Sequence, residues 1–167
     1  MVRNRDLLDI LRDNSISDLK KESVVVEAII PIVAASCNNR SLDLKVIFSD
    51  TFLDAYVHGY LNFVMQSSAT ISKYLLVAIL QLNIVLFRHL YKQLGDYGKE
   101  MKAFANHLYS SVDDRVVSYS LLFLCQYCRC CDERDQAYRL LLNTIHLCDN
   151  HCQDVIMKAS ELLKERT

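Results

Sequence analysis

The chain has 167 residues, of which 51% are hydrophobic, and its nineteen basic residues are nearly balanced by twenty acidic ones. Such a balance gives no overall field to attract nucleic acid or an anionic membrane, so both are disfavoured as partners. With only three glycines and one proline, turn-rich β folds and glycine-rich phosphate loops are disfavoured as well. The length predicts a single domain over residues 1–167.

Hydropathy and cysteine content indicate the compartment. The N-terminal residues lack the apolar core of a signal peptide, and no stretch of eighteen apolar residues occurs. Seven cysteines, an odd number, then favour thiols in a reducing compartment, so we expect a cytoplasmic or nuclear protein. The positive mean hydropathy of +0.10 indicates an apolar face that is covered by a partner or by a second copy of the chain.

The N-terminal part predicts short helices interrupted by polar breaks. A helix over residues 6–11 is followed by a second one, which Ser17 or Asp18 caps. Pro31 either kinks this second helix or divides it in two. Residues 42–48 have mixed apolar spacing, and we assign them to helix from their context.

A longer helix is predicted next, with Asp50 or Thr51 as its cap. Steps of three and four residues place its bulky side chains on one stripe. These side chains are Phe52, Leu53, Tyr56, Tyr60, Phe63 and Val64.

Two helical hairpins are the clearest prediction. Residues 71–94 form a long apolar helix, and a turn at residues 95–98 leads into an amphipathic helix that ends at Tyr109. A similar pair follows over residues 113–131 and 133–149, so the repeat units are residues 71–110 and 111–150. The second helix of this pair is lined by Ala137, Leu140, Leu141, Ile145 and Cys148, and a final helix carries Val155, Ile156, Ala159, Leu162 and Leu163.

The two hairpins also match each other in sequence. At an offset of 37 residues, Ile79, Leu86, Leu90, Phe104 and Leu108 fall on Val116, Phe123, Tyr127, Leu141 and Ile145. This pattern over residues 70–150 resembles HEAT and armadillo repeats, and the resemblance implies stacked antiparallel helical hairpins. The alternative is a compact bundle similar to virus-encoded Bcl-2-like proteins, with residues 74–90 as the enclosed central helix, although the chain has no tryptophan.

Two polar surfaces are candidates for partner binding. Successive second helices of a stack would line a groove for a peptide or helix. We predict that this groove is formed by Lys99, Lys102, Asn106, Tyr109, Arg139 and Asn143. A basic ridge for an acidic peptide is predicted at Arg88, Lys92, Arg129 and Arg134, although cations near helix C-termini are also favoured by the helix dipole.

Cysteine and histidine cluster near the C-terminus. Cys125 and Cys128, followed about twenty residues later by Cys148 and Cys152, have a spacing from which a tetrahedral zinc site could be built. No glycine or proline breaks the helix that carries the first pair, and cysteine often packs as a small hydrophobe. We therefore favour core packing for these thiols, with zinc binding as the alternative.

No catalytic motif is found. The sequence has no GxGxxG, GxxxxGK[ST], HExxH or GxSxG pattern, and none of its histidines belongs to a motif that supplies a neighbouring nucleophile or a paired carboxylate. Cys148 and His151 are a Cys–His pair close together in sequence. We expect an all-α, non-enzymatic scaffold or adaptor that needs no cofactor and binds another protein. A Bcl-2-like partner-binding bundle and a zinc-binding helical domain are the alternatives.

Overall fold

The computed structural model describes residues 4–37, 48–147 and 149–164, and the described residues form eight helices and no strand. The all-α prediction is confirmed. In chain order the helices are α1 (Asn4–Arg12), α2 (Asp18–Cys37), α3 (three consecutive segments, Asp50–Asp54, Ala55–Tyr60 and Leu61–Ser67), α4 (Lys73–Leu94), α5 (Asp96–Tyr109), α6 (Asp114–Cys130), α7 (Arg134–Thr144) and α8 (Asn150–Lys164). A 3-10 turn, Ser68–Thr70, follows α3.

Helix α2 resolves two alternatives of the sequence analysis. Its cap is Ser17, because the Ser17 hydroxyl oxygen accepts a hydrogen bond from the Lys20 N–H at 3.2 Å. The helix then runs through Pro31 as one element. The predicted helix over residues 42–48 lies outside the described residues except for Phe48.

The predicted cap of α3 is wrong. Ser49, not Asp50 or Thr51, has extended backbone angles and accepts a hydrogen bond from the Phe52 N–H at 3.1 Å. A short side chain in this conformation satisfies one of the N–H groups that have no partner within the first turn.

The even-numbered helices form one row in which the chain runs in the same direction each time. At the N-terminal ends of α2 and α4, the Asp18 carboxylate accepts a hydrogen bond from the Ser72 N–H at 2.8 Å. At the N-terminal ends of α4 and α6, Lys73 Nζ lies 3.6 Å from Asp113 Oδ2. Asp113 also caps α6 by accepting hydrogen bonds from the N–H groups at the start of that helix.

The row continues from α6 to α8. Near the N-terminal ends, the Tyr119 hydroxyl lies 3.1 Å from His151 Nε2. Near the C-terminal ends, Arg134, which follows α6, donates from Nη1 to the Leu163 carbonyl of α8 at 3.1 Å. Both ends of α6 and α8 are therefore aligned.

The odd-numbered helices return in a second row. Arg12 of α1 donates to the Ala55 carbonyl of α3 at 3.2 Å, and the rings of His58 in α3 and Tyr97 in α5 lie 5.4 Å apart. Helix α6 touches both rows, because it packs against α4 and α8 on its own row and against α5 and α7 on the other. Among the described helices, extensive packing joins only those that are one or two positions apart in the chain.

Helix α4 supplies much of the core. Eleven of its residues are buried, as expected for a central helix, and it packs mainly against α2 and α6. Among the described helices, α4 alone is long and apolar enough to cross a membrane, and 56% of its most apolar window is buried inside the protein. The core helix of a soluble protein meets the same criterion.

A buried hydrogen bond joins the two rows and gives a test of this packing. The Tyr56 hydroxyl donates to Asn83 Oδ1 at 2.7 Å, and both residues are buried. Tyr56→Phe should lower the free energy of unfolding by about 1–3 kcal/mol in urea titrations, because the Asn83 carbonyl is left without this donor.

The double variant Tyr56→Phe/Asn83→Leu is the control for this prediction. Replacing both polar partners by apolar groups of similar shape is often nearly neutral, and the Asn83 amide nitrogen has no hydrogen-bond partner among the described residues. The double variant should therefore regain most of the lost stability. If Tyr56→Phe alone is as stable as the wild type, the hydrogen bond from Tyr56 to Asn83 does not stabilise the fold.

Candidate functional site

The predicted groove residues lie on α5 and α7, which are neighbours in the second row. Tyr109 joins these two helices, because its hydroxyl lies 2.6 Å from the Thr144 hydroxyl and donates to the Leu140 carbonyl at 3.3 Å. Tyr109 is half-buried and Thr144 is buried. Tyr109 is thus placed in the floor between the helices, where its hydroxyl already has partners inside the protein.

Lys102 also contacts its neighbours at this place. Its Nζ lies 3.7 Å from Glu133 Oε2, at the start of α7, and 4.9 Å from the centre of the Tyr127 ring of α6. The ammonium group therefore connects three helices through an ion pair and a cation–π contact. Tyr109 and Lys102 together fix the separation of α5 and α7.

The other four predicted groove residues are exposed. Lys99 Nζ lies 3.6 Å from Asp96 Oδ1 in the first turn of α5. Asn106 is exposed about two turns further along the same helix. Arg139 and Asn143 are exposed on α7. The structure thus separates the predicted set into two residues that join helices and four that face solvent.

The residues of the predicted basic ridge lie at the same end of the even-numbered row. Phe87 of α4 contacts Phe123 and Tyr127 of α6, with ring centres 5.6 and 5.1 Å apart, so the C-terminal halves of the two helices are side by side. Arg88 and Lys92 are exposed on α4, and Arg129 is half-buried on α6. Arg134 holds the start of α7 to α8 through its bond to Leu163.

An apolar surface that the sequence analysis did not identify lies on α7. Tyr138, Leu142 and Ile145 are 45%, 70% and 65% exposed, and their spacing of four and three residues places them on one side of the helix. We call these three residues the α7 face. The expectation that Ile145 lines the core is wrong, because Ala137, Leu140 and Thr144 take the inward side.

The cysteines of the predicted metal set are packed in the core. Cys125, Cys128 and Cys152 belong to one apolar cluster between α6, α7 and α8. Burial raises the pKa of the Cys125 thiol to about 12 and that of the Cys128 thiol to about 11. Cys148 lies outside the described residues, and no group of three or more His, Cys, Asp or Glu side chains in the described ranges is arranged to hold a metal ion.

Comparison with known proteins does not identify a family. No protein-family model, curated protein or solved structure matches the chain.

The raised thiol pKa values predict how stability depends on pH. In the folded protein Cys125 and Cys128 stay protonated to about pH 12 and 11, whereas an exposed thiol of the unfolded chain ionises near pH 8.5. The unfolded state therefore releases protons first, and the free energy of unfolding should fall as the pH rises above about 8.5. Urea titrations between pH 7 and 10.5 measure this loss.

Two variants give the control. Cys125→Val removes one buried thiol from the titration and should make the decline with pH shallower. Val112→Ala changes a fully exposed side chain that has no titratable group and should leave the slope as in the wild type. A decline that is equally steep in Cys125→Val would show that this thiol is not the titrating group.

Proposed function

We propose that the protein is a non-enzymatic scaffold or adaptor that binds a helical segment of another protein. The α7 face is the observation on which this proposal rests. Three large apolar side chains are exposed on one side of a single helix, and grouped apolar exposure of this kind marks protein-interaction sites. Partner helices dock through apolar residues at helical spacing, which the spacing of Tyr138, Leu142 and Ile145 matches.

We further propose that the helices are stacked as HEAT-type or armadillo-type hairpins. The parallel row of α2, α4, α6 and α8 supports this proposal, as does the restriction of extensive packing to helices that are close in the chain. Terminal repeats of such stacks need a polar outer face to remain soluble alone. The α7 face lies on the last hairpin and is apolar. A partner that covers it would therefore provide the polar outer surface that this hairpin lacks.

A second exposed apolar stripe, on α2, agrees with a role in a larger assembly. Leu19, Val26, Ile30 and Val33 are each at least 41% exposed, and they lie on the first helix of the even-numbered row. Both ends of the stack therefore present apolar side chains. This arrangement suits a protein that works between partners, including further copies of itself.

Polar residues beside the α7 face suggest the chemistry of the partner. Arg139 and Asn143 follow Tyr138 and Leu142 in sequence and are exposed at the edge of the face. We propose that an acidic residue of the partner helix pairs with Arg139 while the partner's apolar residues cover Leu142. The alternative of a Bcl-2-like bundle, with α4 enclosed on all sides, is less favoured because Tyr74 of α4 is 49% exposed and Arg88 is also exposed.

Charge inserted into the α7 face should abolish binding. We expect Leu142→Asp and Ile145→Asp to lose the same set of co-purifying proteins when tagged protein is isolated from its native cells and quantified by mass spectrometry. The physical reason is that a carboxylate buried against an apolar partner carries a desolvation penalty of at least several kcal/mol, unless it is paired or protonated. The variants themselves should fold normally, because both side chains are exposed.

Val112→Asp is the matched control. Val112 is fully exposed in the loop between α5 and α6, so this variant adds the same charge outside the face and should retain every partner. Identical sets of proteins with wild-type, Leu142→Asp and Ile145→Asp chains would rule out the α7 face as the binding surface.

A further inference from the structure

A small cleft lies at the other end of the second row, where α1 meets α3. It has a volume of about 300 Å³ and is lined by Arg12, Asn14, Gly59, Tyr60 and Phe63. We call it the Arg12 cleft. It is separate from the α7 face, and its interpretation does not depend on the proposed function.

The wall of the Arg12 cleft is a π-helical turn. Within Ala55–Tyr60 the helix widens, and the Leu61 N–H bonds to the Tyr56 carbonyl five residues back. Side chains bond to two carbonyls of this turn. Asn62 Nδ2 donates to the His58 carbonyl at 2.6 Å, and Arg12 Nη2 donates to the Ala55 carbonyl at 3.2 Å. Single π-turns within α-helices are frequent at functional sites.

Gly59 permits the close approach of Arg12 to this turn. A Cβ atom at position 59 would lie 2.8 Å from Arg12 Nη2, closer than a side-chain carbon normally comes. The absence of a side chain at Gly59 therefore leaves room for the guanidinium beside the helix, where it reaches the Ala55 carbonyl.

The held guanidinium has capacity for a further ligand. A guanidinium carries five N–H donors in a rigid fork, and the bond to Ala55 uses one nitrogen. Among the described residues no carboxylate lies within ion-pair distance of Arg12. Phe63, 51% exposed, presents an apolar ring in the same cleft. A carboxylate has the geometry to accept hydrogen bonds from the Arg12 guanidinium, and a large apolar side chain can pack against the Phe63 ring.

We propose that the Arg12 cleft binds a segment of another protein in which an acidic side chain stands next to a large apolar one. The carboxylate pairs with Arg12 and Asn14, and the apolar side chain covers Phe63. A protein segment suits the cleft better than a small molecule does. Arg12, Asn14, Gly59 and Phe63 are all exposed, whereas small-molecule sites enclose most of the ligand surface.

Titration with short probes followed by ¹H–¹⁵N NMR tests this proposal. Acetyl-glutamyl-leucine amide should shift the amide signals of Asn14 and Gly59 with a millimolar Kd. Acetyl-glutaminyl-leucine amide, which has the same shape without the charge, should bind about three- to fivefold more weakly, because an ion pair with an exposed arginine contributes only modestly in water. Arg12→Gln should weaken the charged probe by about the same factor, and its amide still allows a bond to the Ala55 carbonyl.

Matched variants separate the site from general effects. Phe63→Ser changes an exposed side chain of the cleft and should also weaken binding of the charged probe. Arg88→Gln and Val112→Ser change an exposed arginine and an exposed valine elsewhere, so both should bind the charged probe as the wild type does. The proposal is overturned if the amide signals of Asn14 and Gly59 stay unchanged at about 20 mM probe, a concentration far above an ordinary specific Kd. It is also overturned if Arg12→Gln binds the charged probe as tightly as the wild type does. Equally tight binding of N-acetylleucine would assign the cleft to small carboxylates and overturn the protein-segment proposal. None of these outcomes bears on the α7 face.

Discussion

An aromatic contact of Phe87 with α6 lies where the two rows of helices meet. Its ring lies 5.6 Å from the ring of Phe123 and 5.1 Å from that of Tyr127, and each such aromatic pair contributes about 0.5–1.5 kcal/mol beyond the burial of its area. Gly98 of α5 lies against the same ring, since a Cβ atom there would be 3.0 Å from Phe87. One side chain of α4 thus contacts both α5 and α6, so this aromatic cluster joins the two rows.

The layered packing explains why surfaces remain open at both ends. Helix α6 is covered by neighbours from both rows, and even its polar residues Ser118, Ser120 and Gln126 are buried. Helices α2 and α7, at opposite ends, pack against fewer of the other described helices, and their outward apolar side chains are exposed. In our proposal this difference between centre and ends is the basis of function, because the centre holds the structure together while the ends are available to partners.

The local structure of the helices could be predicted from the sequence, whereas several of their tertiary contacts could not. Helices α4 to α6 follow from apolar residues at steps of three and four, and Asp113 is recognisable as a cap because its position before an apolar run fixes its role. On α7, however, apolar residues surround the helix, so periodicity placed both Leu140 and Ile145 on the inward side although Ile145 is exposed. The π-turn at Gly59 was not predicted because one of its carbonyls, that of Ala55, accepts a hydrogen bond from Arg12, more than forty residues away in the chain. Helical spacing predicted that Tyr109 lies in the groove, but it could not predict the hydrogen bond between the Tyr109 and Thr144 hydroxyls.

Native-state hydrogen exchange shows whether the helices of this protein are stabilised by their neighbours or by the fold as a whole. If each helix is stabilised mainly by neighbours one or two positions away, stability should be highest in α6 and fall toward both ends. Amide protons of α1 and α2 should then exchange through an opening with a lower free energy than that of α6, and those of α7 and α8 through a separate one. Exchange of all eight described helices through one global unfolding, with a single free energy, would show instead that stability does not depend on neighbouring helices.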